Sequence, residues 1–337
     1  MEYEKILARI TSGLTGNSEK DVPFLKEQAD IYKSHELSKD ILRAIERLLY
    51  DTLPEEQKVP AASDFYKDGK RIDVLYDEVR HLVSTKQYEK ATVMMDSLIQ
   101  FCEDFLETDQ ENDYLSFKNM FQAYLYQHFF KPTKNFRPTP YDFSDMYIIR
   151  GFLYMQEHNM QAAIQALTKA VRCNPVNLYA YFQLAEAHKL TGDLDEYLNL
   201  TRQALSFATS KKEIARCYRN MGFYFIEKEN YTDAINMYHL SSDFEKNDAV
   251  ASELFYISQK TGKKIEPPDQ EAVLKTIQEH FIQVGASEPV LGIAAALGKK
   301  AFEDKQFDLA RYCLGLVYDL SEDQEAKDFL DKMAQLN

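Results

Sequence analysis

Histidine and cysteine are the side chains that most often bind metal ions or act as nucleophiles, and in this sequence they are scattered. No H-E-x-x-H or C-x-x-C motif is present, and no two histidines are spaced i, i+4. We therefore predict no metal site and no cofactor. Each cysteine falls in a segment with helical periodicity, which favours buried apolar filler over a disulfide. The residues concerned are His35, His81, His128, His158, His188, His239, His280, Cys102, Cys173, Cys217 and Cys313.

The sequence also lacks the short glycine-containing motifs that bind phosphates or position a nucleophile. It has no G-x-x-x-x-G-K-[ST], no G-x-G-x-x-G and no G-x-S-x-G. We therefore predict that the protein is not an enzyme. An enzyme without recognisable motifs stays open as an alternative, and closely paired carboxylates with shifted pKa values in a cleft would favour it.

The charge of the chain opposes binding to nucleic acids and acidic membranes. Its formal net charge is −14 at pH 7, which repels phosphate groups. Residues 1–70 contain 11 Lys and Arg against 14 Asp and Glu, so no basic face marks the first helices as a DNA-binding module. The first residues are charged, and no run of about 18 apolar residues follows. We expect a cytoplasmic protein without membrane or nucleic-acid partners.

One pattern occurs three times between residues 144 and 246. The copies begin at Ser144, Leu178 and Ala215, which are 34 and 37 residues apart. In each copy, a small residue of the first helix lies twelve positions before a residue of the second helix. Gly151 and Ala163 are one such pair. A repeat of this length predicts helical hairpins that stack on one another.

Small residues recur where the two antiparallel helices of a hairpin must approach closely. Large side chains at i+3 or i+4 fill the space beside them. We predict that these positions pack the hairpins together, although the middle copy has Tyr197 where its siblings have alanine. The packing positions are Gly151, Ala163, Ala170, Ala185, Ala204, Gly222 and Ala234.

A short polar residue stands directly before the second helix of every copy. These residues are Asn159, Asp193 and Asn230, whose side chains suit the N-cap position because they accept free N–H groups of the first helical turn. The three extra residues of the third copy are assigned to 210–212. Each hairpin therefore has a predicted turn at a defined place.

The three copies resemble the tetratricopeptide repeat (TPR), a 34-residue helix–turn–helix unit. The first copy matches it most fully, from Gly151 through Ala163 to Pro175. Residues 75–98 and 297–317 keep the twelve-residue step and match less completely. The resemblance implies an all-α fold: a right-handed α-solenoid of TPR-type helical hairpins with helical caps at both ends.

Proline-containing breaks divide the chain into four predicted segments. They are an N-terminal helical cap at 1–62, a degenerate helical repeat region at 63–130, a three-repeat core plus the following helix at 144–262, and a C-terminal helical repeat with a capping helix at 270–337.

Long helices are predicted within the degenerate region, over Asp64–Thr85 and Tyr114–Phe130. No sheet is predicted, because no run of alternating apolar residues is long enough. A connector is expected after the second of these helices, where residues 131–140 contain three prolines.

In proteins that the repeats resemble, the first helix of each hairpin lines a groove that binds a protein or peptide. Aromatic side chains there would give apolar contact, amides would bond a peptide backbone, and arginines would pair with a carboxylate. We therefore expect a non-enzymatic scaffold or adaptor with a protein or peptide partner. The implied groove residues are Phe152, Tyr179, Phe182, Gln183, Arg216, Arg219, Asn220 and Phe223.

Other uses of these residues stay open. The aromatic side chains would also suit packing against a neighbouring helix or a second copy of the chain, which would make a homo-oligomer. The chain is also similar to bacterial TPR pheromone receptors, so a peptide-responsive regulator is the alternative function. The clamp that holds chaperone tails in this family has Lys and Asn where Ile148 and Phe152 stand here, which does not favour that ligand.

Overall fold

The computed structural model describes residues 2–33, 35, 37–53, 66–67, 69–103 and 110–335. They form two compact units, Met1–Glu107 and Thr108–Asn337. The boundary between the units lies inside the predicted segment 63–130. The unit of residues 108–337 contains the three copies of the repeat.

The first unit begins with three helices, α1 (Glu2–Ser12), α2 (Ser18–Tyr32) and α3 (Ser38–Thr52). Their apolar faces meet in a core of their own, whose fully buried residues include Ile10, Leu25 and Ile45. This part of the chain therefore folds around its own apolar cluster.

A helical hairpin follows in the same unit, formed by α4 (Ile72–Ser84) and α5 (Tyr88–Cys102). The helix predicted from Asp64 begins only at Ile72, because β1 (Tyr66–Lys67) and β2 (Lys70–Arg71) form a short antiparallel pair. Gly69 supplies the turn with φ of 76°, a conformation that glycine adopts without steric cost. Residues 64 and 65 lie outside the described residues.

The second unit opens with two strands and one helix that the sequence did not fully predict. Strands β3 (Asn112–Leu115) and β4 (Asn135–Pro138) pair in parallel around α6 (Met120–Phe130). The predicted helix over Tyr114–Phe130 therefore starts late, and the middle of the proline-containing connector, Asn135–Pro138, is a strand. The ring of Phe136 packs 5.4 Å from that of Phe117, which anchors the connector.

Three helical hairpins follow, and each packs on the next. Helix α8 packs against α9, and α10 against α11. Their N-caps are confirmed, since Asn159, Asp193 and Asn230 accept hydrogen bonds from backbone N–H groups at 3.2, 3.3 and 3.3 Å. The pairs are α7 (Phe143–Gln156) with α8 (Met160–Cys173), α9 (Leu178–Leu190) with α10 (Leu194–Ser206), and α11 (Lys211–Glu227) with α12 (Tyr231–Phe244).

The predicted packing positions all lie inside these hairpins. All seven are buried. A Cβ atom on Gly151 would fall 2.7 Å from Cδ2 of Leu167, and one on Gly222 would fall 2.9 Å from the ring of Tyr238. The extra residues of the third copy lengthen α11, which begins at Lys211 after the N-cap Ser210.

The last five helices are α13 (Asp248–Thr261), α14 (Gln270–Glu279), α15 (Glu288–Glu303), α16 (Phe307–Ser321) and α17 (Gln324–Ala334). Helices α15 and α16 form another close hairpin, in which Gly298 lies against Leu314. Helix α14 returns against α12, and α15 packs against α6. This C-terminal hairpin therefore packs beside the start of the unit.

The prediction of an all-α fold built from consecutive TPR-type hairpins is confirmed, with two minimal strand pairs as additions. None of the helices in the described ranges combines the length and the apolar character that crossing a membrane requires.

Candidate binding surface

The eight predicted groove residues lie on the first helices of the three hairpins, α7, α9 and α11. We call the surface that carries them the A-helix wall. The environments of these side chains differ: some are exposed to solvent, whereas others form contacts with other residues of the protein.

Arg216 on α11 lies over the ring of Phe182 on α9, with 4.2 Å between the guanidinium carbon and the ring centre. This cation–π geometry joins two successive hairpins. Phe182 is buried, Arg216 is half-buried, and Tyr179 one turn away is 51% exposed. Within the described part of the chain, Arg216 forms no ion pair.

Phe223 on α11 forms a second contact between hairpins. Its ring meets Tyr197 edge-on at 5.9 Å, and the ammonium of Lys189 lies 4.9 Å from its centre. Lys189 also pairs with Glu186 at 2.7 Å. Burial raises the pKa of Tyr197, the field of Glu186 adds to the increase, and that of Arg216 opposes it. Tyr197 is therefore neutral at physiological pH, beneath the A-helix wall.

Arg219 and Asn220 already have partners in the protein. Nη1 of Arg219 lies 3.1 Å from Oε2 of Glu245, and both side chains are largely shielded, with 15% and 27% exposure. These two atoms make a close charge contact without an aligned hydrogen bond. Asn220 donates to the hydroxyl of buried Thr201 at 3.3 Å. Arg219 therefore joins α11 to the end of α12 within the third hairpin, and Asn220 joins α11 to α10 of the second.

Phe152 and Gln183 are half-buried on α7 and α9. Gln183 follows Phe182 on α9 and stands one helical turn after Tyr179. The A-helix wall thus carries one exposed aromatic ring, one half-buried amide and one half-buried arginine.

Glu253 on α13 was missed by the sequence analysis, because α13 was treated as a single helix after the repeats. Burial raises its pKa, the field of Lys189 opposes that increase, and the field of Glu227 adds to it. Residues of α9, α11 and α13 therefore share one electrostatic environment.

The first unit carries two open cavities on the α4–α5 hairpin, of 520 and 450 Å³. Both are lined by Met94; Val93 borders one and Val74 the other. Val93 is 72% exposed. No sequence motif pointed to this apolar groove, because its residues have ordinary helical spacing.

All four cysteines are buried, as the helical periodicity of their segments predicted. Burial raises the pKa of Cys102, Cys173 and Cys313 to about 12, and also raises that of Cys217. Neutral thiols are poor nucleophiles and metal ligands. In the ranges that the structure describes, no three His, Cys, Asp or Glu side chains are placed to hold a metal ion.

No protein-family model matches the sequence, and no curated protein gives a significant match. Similar solved structures include PilF of Pseudomonas aeruginosa, with 11% identity, a TM-score of 0.41, and coverage of 77% of this chain and 97% of that one. YrrB, described as a TPR protein with an unusual peptide-binding site, has 16% identity, a TM-score of 0.38, and coverage of 75% and 99%. The TPR domain of P58(IPK) has 14% identity, a TM-score of 0.34, and coverage of 99% and 88%.

At these identities and scores, the assignment depends on the hairpins of the chain itself. Three features carry it: landmarks that recur after 34 and 37 residues, small residues at the helix crossings, and side-chain caps at the same turn of each copy. Residues 143–244 therefore form a TPR-type array of three helical hairpins.

Proposed function

We propose that the protein is a non-enzymatic scaffold or adaptor whose A-helix wall binds a segment of another protein. The observation that carries this proposal is the environment of the Arg216 side chain. Its guanidinium is half-buried and oriented by the Phe182 ring, but it has no carboxylate partner in the described residues. The neighbouring Arg219 and Lys189 both have one.

An arginine held in this way favours a ligand that supplies the missing charge. Guanidinium groups bind carboxylates through two parallel hydrogen bonds, so the expected partner is a peptide segment with an acidic side chain or a free C-terminus. Tyr179 offers an accessible ring at little cost in side-chain entropy, and Gln183 offers an amide for the peptide backbone. Arg219 and Asn220 would then support the site from within the protein.

The proposal is tested by selecting a phage-displayed library of random peptides on the wild-type protein and measuring the Kd of selected peptides by fluorescence anisotropy. We expect acidic residues among the selected sequences and at least tenfold weaker binding to Arg216→Ala, a loss of about 1.4 kcal/mol. Arg172→Ala, an exposed arginine on the second helix of the first hairpin, is the matched control and should bind normally.

Two outcomes would overturn the proposal. One is a library that yields no binder for the wild-type protein. The other is an equal loss of affinity in Arg172→Ala and Arg216→Ala, because that would show a general effect of charge instead of a site on α11.

A second candidate function is a peptide-responsive regulator. The observation that favours it is the separate core of α1–α3, within a compact unit distinct from the TPR-type array. On this proposal, a bound peptide would change amide hydrogen exchange in residues 2–53. A simple scaffold would show protection only on α7, α9 and α11.

A further inference from the structure

Residues 270–287 form one segment that contacts both the second and the third hairpin. Its first set of contacts reaches α10. Arg202 donates to the carbonyl of His280 at 3.0 Å, Gln283 donates to that of Leu205 at 3.2 Å, and Ser287 donates to that of Ser206 at 2.9 Å. The last two acceptors lie at the C-terminal end of α10, where backbone carbonyls lack partners within their helix.

The second set of contacts reaches α11. The buried hydroxyl of Tyr218 donates to the carbonyl of Gln283 at 2.9 Å and accepts from the amide of Gly285 at 2.8 Å. The ring of Phe225 lies 4.6 Å from that of His280. Helix α11 also carries Arg216 and Phe223, so the segment contacts the same helix that supplies part of the A-helix wall.

The third set of contacts is a polar cluster between α14 and α12. Asp233 accepts hydrogen bonds from Thr276 at 2.5 Å and from His280 at 2.8 Å. Asn236 donates to the hydroxyl of Thr276 at 2.8 Å and to the carbonyl of Ala272 at 3.1 Å. Thr276 is the only described residue of α14 that is fully buried, so directional hydrogen bonds hold this helix more than apolar burial does.

We propose that residues 270–287 are a brace that fixes the angle between the second and third hairpins. The angle between successive repeats sets the curvature of a TPR-type array and of its binding surface. The brace would therefore set the position of Arg216 and Phe223 on α11 relative to Tyr179 and Gln183 on α9. Since α14 is held mainly by polar contacts, it can open while the hairpins stay folded.

A single-atom change tests the brace. Tyr218→Phe removes the hydroxyl that links Gln283 to Gly285. We expect amide exchange in residues 282–287 to rise at least tenfold, since the carbonyl of Gln283 and the amide of Gly285 lose their buried partner. Tyr181→Phe is the matched control, because Tyr181 has the same place in the second hairpin and its hydroxyl donates to Pro175 at 3.0 Å, away from the brace.

The angle between the second and third hairpins is measured separately by the distance between spin labels on Asn199→Cys in α10 and Thr232→Cys in α12, both exposed positions. The native cysteines are buried and escape labelling. Tyr218→Phe should broaden or shift the distance distribution, whereas Tyr181→Phe should keep that of the wild type. A tenfold rise in exchange with an unchanged distance would overturn the proposal, and so would no rise at all.

The effect on binding rests on the proposed function, whereas the exchange and distance measurements do not. With a peptide selected on the wild-type protein, Tyr218→Phe should change the Kd at least threefold, and Tyr181→Phe should leave it unchanged. If no peptide is selected, the scaffold proposal fails while the brace is still tested. If a peptide binds Tyr218→Phe with wild-type affinity, the link between brace and wall is wrong.

Discussion

Gly151 on α7 and Leu167 on α8 are in such close contact that a Cβ atom on the glycine would lie 2.7 Å from Cδ2 of the leucine. We expect Gly151→Ala to lower the free energy of unfolding by about 1–3 kcal/mol through overpacking, measured by thermal and denaturant melts. Gly292→Ala in α15 is the control, because nothing lies within 4 Å of its added methyl group. That change should stabilise the protein by about 0.5–1 kcal/mol. Equal effects at the two positions would contradict the close crossing.

Arg219 should be a stability residue, since it pairs with Glu245 in a largely shielded place. Arg219→Ala leaves a shielded carboxylate without its partner, which should cost up to about 3 kcal/mol. Arg219→Met combined with Glu245→Met should recover much of that loss, because neither charge is then left unpaired. Denaturant melts of the single and double variants check this. A double variant no more stable than Arg219→Ala would contradict this account, because the loss would then not come from the unpaired carboxylate of Glu245.

Asp233 should make the array sensitive to acid. Burial alone raises the pKa of this carboxyl, but hydrogen bonds from Thr276, His280 and Asn230 outweigh burial and hold the pKa below its ordinary value of 3.8. The ionised form therefore adds stability above pH 3.8, and this stability is lost as the pH falls through the lower, folded-state pKa.

The matching measurement compares melting temperatures at pH 7 and pH 3. At pH 7, Asp233→Asn should have a lower melting temperature than the wild type, which corresponds to a loss of about 1–3 kcal/mol in the free energy of unfolding. At pH 3 the difference in melting temperature should be smaller. Asp243→Asn, on an exposed position of the same helix, is the control. A constant difference at both pH values would mean that the charge of Asp233 does not contribute.

The hairpins were predictable because local chemistry specifies them. Gly151 and Gly222 recur at helix crossings, and Asn159 and Asn230 cap the following helices, so spacing along the chain reports the contact directly. The resemblance to TPR proteins then placed the candidate wall on α7, α9 and α11.

Long-range polar contacts were not predictable in the same way. One partner of Asp233 is His280, 47 residues away, and no periodic pattern connects the two. The pairing of Arg219 with Glu245 likewise depends on where the end of α12 lies against α11. The short strands β3 and β4 were missed because four-residue pairs leave almost no alternation in the sequence.

The place where a selected peptide binds is the most direct test of the scaffold proposal. A photo-crosslinking amino acid at Tyr179 on the A-helix wall is compared with one at Val93, in the apolar groove of α4 and α5; both positions are exposed, at 51% and 72%. After irradiation with the peptide, mass spectrometry should find the crosslink from position 179 and none from position 93. A crosslink from position 93 alone would contradict binding at the A-helix wall.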